Sequence, residues 1–127
     1  MEGLRKQYHF RPGPDGLRAW DIHRLIALAE PLPVIEVPLA AIRELDEPYW
    51  FDHGYAPTCR AVAEHARLIR EVDLSFPIIL SSDGRVMDGM HRVARALLED
   101  RTSLPAKRFM QDPAPDHVGV APEDLPY

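Results

Sequence analysis

Cysteine is almost absent from this sequence, in which Cys59 is the one thiol. A single cysteine excludes an internal disulfide framework and any zinc site built from several thiolates. Long apolar runs are missing as well, since none approaches the roughly 18 to 20 residues that span a bilayer. The opening stretch, MEGLRKQYHF, lacks the apolar segment of a secretory signal. We therefore expect no membrane partner and a cytoplasmic location.

An excess of positive charge is also missing. The 15 Lys and Arg residues are outnumbered by 20 Asp and Glu residues, which gives a net charge of −5. Nucleic-acid-binding proteins usually carry a basic excess, so DNA is the least favoured partner. The length of 127 residues, with 46% hydrophobic and 28% charged residues, is typical of one globular domain.

Proline, by contrast, is abundant, and its 13 positions divide the chain. Because proline fixes φ and removes a backbone donor, it tends to mark the boundaries of elements. Residues 1–14 are predicted to form an irregular arm, and Asp15 to cap a helix that ends near Glu30. The buried side of that helix is predicted from five apolar residues: Leu17, Trp20, Leu25, Ile26 and Leu28.

The rest of the pattern predicts short strands between two further helices. Thr58 is predicted to cap a helix that ends near Glu71 and carries Val62, Ala66, Ile69 and Val72 on one face. A last helix, over 90–100, is predicted to face inward with Val93, Ala94 and Leu97. The other predicted elements are strands at 34–39, 76–80, 85–88 and 104–109, a helical turn at 40–45 followed by a loop to 57, a turn at 81–84, and a tail at 110–127 that is extended or partly disordered.

These elements predict an α/β (α+β) fold in which a small mixed sheet is flanked by helices, with an extra N-terminal helix. Within a single domain, the chain divides into three segments. They are an N-terminal arm and helix (1–33), a core (34–109) and an acidic, proline-rich tail (110–127).

The most informative segment is the predicted strand-to-helix junction at Asp88–Arg92. Helix N-termini present unpaired N–H groups and a partial positive charge, so they bind anions. Gly89 lets the backbone turn tightly there. His91 and Arg92 fall in the first helical turn, where a cation opposes the helix dipole unless an anion is present. Six basic and three acidic residues between 85 and 108 add a local charge of +3, which suits a phosphate-bearing ligand.

The junction resembles the ParB/sulfiredoxin-like superfamily. The resemblance rests on Pro77-Ile78-Ile79-Leu80, Asp83-Gly84-Arg85 and Asp88-Gly89-Met90-His91-Arg92, and it covers roughly residues 34–109. Met90 stands where sulfiredoxins carry a catalytic cysteine, and only Gly89 and Arg92 match the G-E-R-R of ParB partition proteins. The D-G-H-H-R of the superfamily's free serine kinases is similar at four of five positions.

The resemblance implies a protein that binds a nucleotide (ATP, ADP or CTP) or another phosphate ligand with Mg²⁺. A phosphotransferase or nucleotide triphosphatase activity is one form of that function. Asp88 would hold Mg²⁺ and His91 would donate to phosphate, while Asp46 or Glu47 would act as general base. The expected ligand contacts are Gly89, Met90, His91 and Arg92, with Thr58 and Arg60 at another helix start.

Structural roles compete with each of these functional ones. Asp88 is also a good N-cap, and Arg92 suits an i, i+4 ion pair with Asp88. Asp46 and Glu47 also fit solvated loop carboxylates. The alternative function is a non-catalytic regulatory or protein-interaction module of the same fold, and a homodimer or another protein partner is left open.

Overall fold

The structure is a computed structural model that describes residues 7–51 and 56–127. Residues 1–6 of the predicted arm and residues 52–55 of the predicted loop lie outside the described residues. The fold is α+β, as predicted, with two sheets and three α-helices. The helices are α1 (Ile22–Ala29), α2 (Cys59–Glu71) and α3 (Met90–Leu98), and the strands are β1 (Tyr8–Gly13), β2 (Gly16–Asp21), β3 (Ile35–Pro38), β4 (Ile78–Leu80), β5 (Val86–Asp88), β6 (Ser103–Arg108) and β7 (His117–Val118).

The predictions of an irregular arm to residue 14 and of a helix from Asp15 were wrong for residues 8–21, which form a hairpin. β1 and β2 pair antiparallel from Tyr8 opposite Asp21 to Gly13 opposite Gly16. Pro14 and Asp15 occupy the connection, and Gly16 has a φ of +121°, which favours glycine. The apolar residues of β2 mimic a helical spacing, but the turn chemistry decides the local structure.

Helix α1 begins later than predicted, and its cap is Asp21 rather than Asp15. The Asp21 carboxylate accepts a hydrogen bond from the His23 N–H at 2.9 Å. Leu25 is fully buried on this helix, whereas Leu28 is 41% exposed. Leu28 was therefore wrongly assigned to the buried side.

The second sheet is mixed, as predicted, and has the strand order β3-β6-β4-β5. β6 runs parallel to β4 and antiparallel to β3, while β4 and β5 form an antiparallel hairpin. Two 3-10 turns, Leu39–Ala41 and Arg43–Asp46, follow β3. They confirm the helical turn predicted at 40–45 and carry the chain towards β5.

Helix α2 has the predicted bounds, and Thr58 caps it by accepting a hydrogen bond from the Ala61 N–H at 3.1 Å. None of its residues is buried, although α2 packs against α3 and His65 contacts Trp50 and Phe51. On the predicted apolar face, Val62 (50% accessible) and Ala66 are exposed, while Ile69 and Val72 are partly buried. On α3, Val93 is buried as predicted and Leu97 is exposed.

Two apolar clusters hold the elements together. One joins β4, β5, β6 and α3 to the 3-10 turns, through residues such as Ile78, Val93 and Leu104. The other packs Trp20 and Leu25 against Ile79, Met87 and Phe109. The N-terminal segment therefore shares its core with the second sheet.

The tail is part of the fold. β7 pairs antiparallel with β2, and the Trp20 indole N–H donates to the Pro113 carbonyl at 2.8 Å. Asp116 accepts from the Asp21 N–H at 2.8 Å, and Leu125 is buried. Among the described residues, no helix has the length and apolar character needed to cross a membrane.

Candidate functional site

A cavity of about 810 Å³ opens between the first hairpin and the start of α3. Its volume falls within the usual range for small-molecule sites. One wall is β1, a second is the second 3-10 turn with the segment that follows it, and the third is β5 with the first residues of α3. The lining residues that bear on its chemistry are Tyr8, His9, Phe10 and Arg11, then Glu44, Glu47, Tyr49 and Trp50, and finally Arg85, Asp88, Gly89, Met90 and His91.

Helix α3 starts at this cavity without a capping side chain among the described residues. Its N-cap is Gly89, with a φ of +106° and a ψ of 23°. The N–H groups of Met90, His91 and Arg92 have no acceptor within the helix. A helix start of this kind attracts anions.

Gly89 is required by packing as well as by its backbone conformation. A Cβ at this position would lie 2.7 Å from Ile78 Cγ2 and 2.8 Å from Arg92 Nη2. Both distances are shorter than a carbon atom allows. Any side chain here would displace the buried Ile78 or the Arg92 guanidinium.

Asp88 does not cap α3 but forms an ion pair with Arg92. The Asp88 carboxylate oxygen Oδ2 lies 2.9 Å from Arg92 Nη2. Arg92 Nε is buried and has no hydrogen-bond partner among the described residues. Arg92 does not line the cavity, so the geometry makes it a partner of Asp88 rather than a direct clamp for phosphate.

His91 belongs to a stacked cluster with His65 and Trp50. His91 Nε2 and His65 Nδ1 are 2.8 Å apart and share a hydrogen bond. The Trp50 indole stacks on both imidazoles, with ring centroids 4.5 Å from His65 and 4.6 Å from His91. The cluster fixes the orientation of the His91 ring at the cavity wall.

The electrostatic conflict expected at the start of α3 is absent from the structure. Burial, helped by the charges of His65 and Arg92, lowers the pKa of His91 to about 4. His91 is therefore neutral at pH 7, and the Arg92 charge is matched by Asp88. What marks this helix start is its free N–H groups, not an excess of cations.

The sequence patterns did not identify Glu44, although this residue is 97% buried and lines the cavity. Its Oε2 accepts a hydrogen bond from the Val86 N–H at 2.7 Å and lies 3.5 Å from Arg85 Nε. Its other oxygen, Oε1, is buried without a hydrogen-bond partner in the described part of the chain. An unpaired buried acceptor costs free energy unless a ligand or water satisfies it.

Glu47 and Asp46, the two carboxylates expected near the site, have different positions. Glu47 lines the cavity and forms a bidentate pair with Arg85, at 2.9 and 2.8 Å. Asp46 is exposed and does not line the cavity. Of the two, Glu47 is the one that could act on a bound ligand.

Strand β1 contributes further candidate residues to the cavity, which the prediction of an irregular arm did not identify. Arg11 makes a 3.3 Å hydrogen bond to Ser81 Oγ and lies 3.9 Å from an Asp83 oxygen, so its guanidinium is loosely held. His9 is 92% buried, and its Nε2 has no partner among the described residues. Tyr49 lines the same cavity, and its burial, reinforced by the charges of Glu44 and Asp88, raises its pKa to about 12. Its hydroxyl therefore stays protonated.

Thr58 and Arg60 are not brought to this cavity. Arg60 lines a separate shallow surface on α2, and Thr58 serves as the cap of that helix. The basic residues between 85 and 108 are dispersed too. Arg85 lines the cavity, while Arg95, Arg101, Lys107 and Arg108 contact Glu99 or backbone carbonyls elsewhere.

Metal binding by side chains alone is not indicated in the described residues. They contain no group of three or more His, Cys, Asp or Glu side chains that could hold an ion. Among the described residues, the guanidinium groups of Arg11 and Arg85 and three carboxylates line the cavity, and Arg92 pairs with one of these carboxylates, Asp88. The wall is therefore close to neutral.

The buried histidine His9 makes stability pH-dependent. Burial, and to a lesser degree Arg11, lowers its pKa from 6.5 to about 4. Between these values the unfolded chain binds the proton more tightly, so stability falls as the pH falls from about 6.5 towards 4. Replacing His9 with Gln should remove about 2 kcal/mol of the stability difference between pH 7 and about pH 4.5. Urea unfolding of both proteins at the two pH values measures this change in the free energy of unfolding.

The exposed His23 provides the control for this experiment. His23→Gln should keep the pH dependence of the wild-type chain. An unchanged pH dependence in His9→Gln would show that His9 is not held neutral by burial.

Searches of family models, curated proteins and solved structures found no match to this chain.

Proposed function

We propose that the chain binds a nucleotide in the cavity, with the phosphates at the start of α3. One observation carries the proposal: the start of α3, which no described side chain caps, opens onto a cavity whose wall also contains two buried polar atoms. These atoms, Glu44 Oε1 and His9 Nε2, have no hydrogen-bond partner among the described residues. The helix start favours an anion. The two buried atoms favour a ligand that also carries neutral polar groups.

The phosphate end of the site would be built mainly from the backbone. The N–H groups of Met90, His91 and Arg92 would donate to phosphate oxygens, and neutral His91 would add a ring donor. Arg11 would supply a loosely held cation, because Arg85 is already engaged by Glu47. Arg92 would act indirectly by holding Asp88 in place.

The aromatic lining of the cavity suits a nucleobase. Tyr8, Phe10, Tyr49 and Trp50 line its walls. Aromatic side chains stack on nucleobases and contribute about 1–3 kcal/mol per base. Aromatic and anion-binding features in one cavity favour a nucleotide over inorganic phosphate.

Magnesium would enter this site together with the nucleotide. Mg²⁺ is usually bound by one or two carboxylates plus substrate phosphates. Asp88 is the carboxylate beside the helix start, so it would be the protein ligand. Such an ion would offset the phosphate charge, which the near-neutral wall does little to balance.

Phosphoryl transfer is the catalytic extension of the proposal. Glu47 would take the proton of an acceptor hydroxyl while that oxygen bonds to the terminal phosphorus. The bond from phosphorus to the bridging oxygen would break, and the nucleoside diphosphate would leave with the electron pair. For this step Glu47 would have to loosen its pairing with Arg85.

Isothermal titration calorimetry with ADP, ATP and CTP, each with Mg²⁺, tests the proposal. The wild-type chain should bind at least one of them, and Arg11→Gln should weaken that binding about tenfold or more, because hydrogen bonds to charged groups contribute about 1.5–3 kcal/mol. Arg18→Gln is the matched control, since Arg18 lies opposite Arg11 in the hairpin but does not line the cavity. Equal losses in both variants, or no binding by the wild-type chain, would contradict the proposal.

A non-catalytic interaction module is the second candidate, and one observation favours it. Helix α2 has no buried residue, while Val62 and Leu68 are 50% and 39% exposed. An amphipathic helix left this open suits a protein partner. Saturable nucleotide binding without product formation would favour the module over the phosphotransferase.

Membership of the ParB/sulfiredoxin-like superfamily is part of the proposal. Its support is the strand-turn-strand-helix order around Asp88–Arg92, which the structure contains.

A further inference from the structure

We propose that the cavity selects nucleotides whose base carries an amino group, and that Glu44 Oε1 accepts a hydrogen bond from that group. The inference rests on the proposed function, because it names the base that the same cavity would take. The bases concerned are adenine and cytosine, whose amino group lies beside a ring-nitrogen acceptor on the base-pairing edge. The amino group of guanine lies beside the N1–H donor on that edge instead.

The main argument is the state of the Glu44 carboxylate. One oxygen is satisfied by the Val86 N–H at 2.7 Å, and Arg85 Nε is 3.5 Å from the same atom. The second oxygen is buried and has no donor among the described residues. Since a carboxylate oxygen only accepts hydrogen bonds, the missing partner must be a donor.

The surroundings of Glu44 restrict what that donor belongs to. Tyr49 and Trp50 line the same cavity, where aromatic rings can contact a flat base, although Trp50 already stacks on His65 and His91. Arg85 is committed to Glu47 through two hydrogen bonds, so it is a poor donor for Glu44 Oε1. An amino group on a stacked base is a donor of the right chemistry.

His9, in the β1 wall of the cavity, supports the same inference. It is buried, it lines the cavity, and its Nε2 has no partner in the described part of the chain. Because burial and the nearby Arg11 lower its pKa to about 4, the ring is neutral at pH 7. A neutral imidazole nitrogen can pair with a ring nitrogen or a ribose hydroxyl without adding charge.

The ligand side of the test compares nucleotides that differ at the amino position, and in the oxo analogues IDP and UDP the neighbouring ring nitrogen also carries a hydrogen. ADP is titrated against purine riboside diphosphate, which has hydrogen in place of the amino group, and against IDP, which has an oxo group. The wild-type chain should bind ADP at least about tenfold more tightly than purine riboside diphosphate, because that analogue leaves Glu44 Oε1 unpaired. CDP against UDP makes the corresponding comparison of an amino group with an oxo group for pyrimidines.

The protein side of the test is Glu44→Gln. The glutamine carbonyl oxygen can keep the hydrogen bond from the Val86 N–H and direct its NH₂ group at the ligand. That group would oppose the amino group of ADP and donate to the oxo group of IDP. The preference should therefore reverse towards IDP, whereas Asp46→Asn, outside the cavity, should keep the preference for ADP.

The outcomes separate the two proposals. Tighter binding of ADP with reversal in Glu44→Gln supports the inference. Equal binding of ADP and purine riboside diphosphate by the wild-type chain would overturn it and leave nucleotide binding standing. No binding of any nucleotide would overturn the proposed function as well. If Glu44→Gln does not fold, the comparison of nucleotides on the wild-type chain decides the matter.

Discussion

Replacing Gly89 with alanine should destabilise the fold by about 4 kcal/mol. A residue with a side chain at a φ of +106° carries backbone strain of about 1–3 kcal/mol. The new Cβ would also lie 2.7 Å from Ile78 Cγ2, in a part of the core where Ile78 is fully buried. Forcing extra volume into a packed core adds about 1–3 kcal/mol. Urea unfolding measures the total.

Gly84→Ala separates the collision from the backbone strain. Gly84 also has a positive φ, of +84°, but a Cβ there would meet no atom within 4 Å. Its replacement should cost about 1 kcal/mol. Similar losses at the two positions would show that Gly89 is required by conformation alone and not by close packing at the start of α3.

The second large effect is expected at Leu25, which ties the N-terminal segment to the second sheet. Leu25 is fully buried in the cluster that includes Ile79, Met87 and Phe109. Leu25→Ala should cost about 3 kcal/mol, from lost apolar burial and the cavity left behind. Because the cluster spans both parts of the chain, unfolding should remain a single transition seen by tryptophan fluorescence and by circular dichroism.

Leu28→Ala is the matched control on the same helix. Leu28 is 41% exposed, so its truncation should cost less than about 1 kcal/mol. A loss as small at Leu25 would mean that α1 is not packed as the structure shows. Two separate transitions would mean that residues 8–29 do not share a cooperative core with the second sheet.

The fold was predictable wherever turn and capping residues agree with the apolar pattern. Thr58 marked the start of α2, and Ser81-Ser82-Asp83-Gly84 marked the turn between β4 and β5. The first hairpin was missed because Leu17, Trp20 and Leu25 mimic a helical spacing that runs on into α1. The tail could be predicted only as extended or partly disordered, because its contacts, such as Trp20 to Pro113, join residues far apart in sequence.

The candidate site was predictable only where it is local in sequence. Asp88–His91 could be found because a strand, a glycine and a helix follow one another there. The sequence alone could not identify Glu44, His9 and Arg11, because they lie on elements that reach the cavity only through tertiary packing. Glu44 does stand three residues before Glu47 in a short turn, and that spacing was the one available signal. Thr58 and Arg60 show that a second helix start need not share the site.

The most direct test of the account is an amide-resolved NMR titration of the ¹⁵N-labelled chain with the nucleotide that binds most tightly. The account predicts that the largest shifts fall on the amides of Met90, His91 and Arg92 and on the indole N–H of Trp50. The amides of Arg60 and Arg67, on the outer side of α2, should not move. Shifts concentrated on α2, with the start of α3 unchanged at saturation, would contradict the claim that this cavity is the nucleotide site.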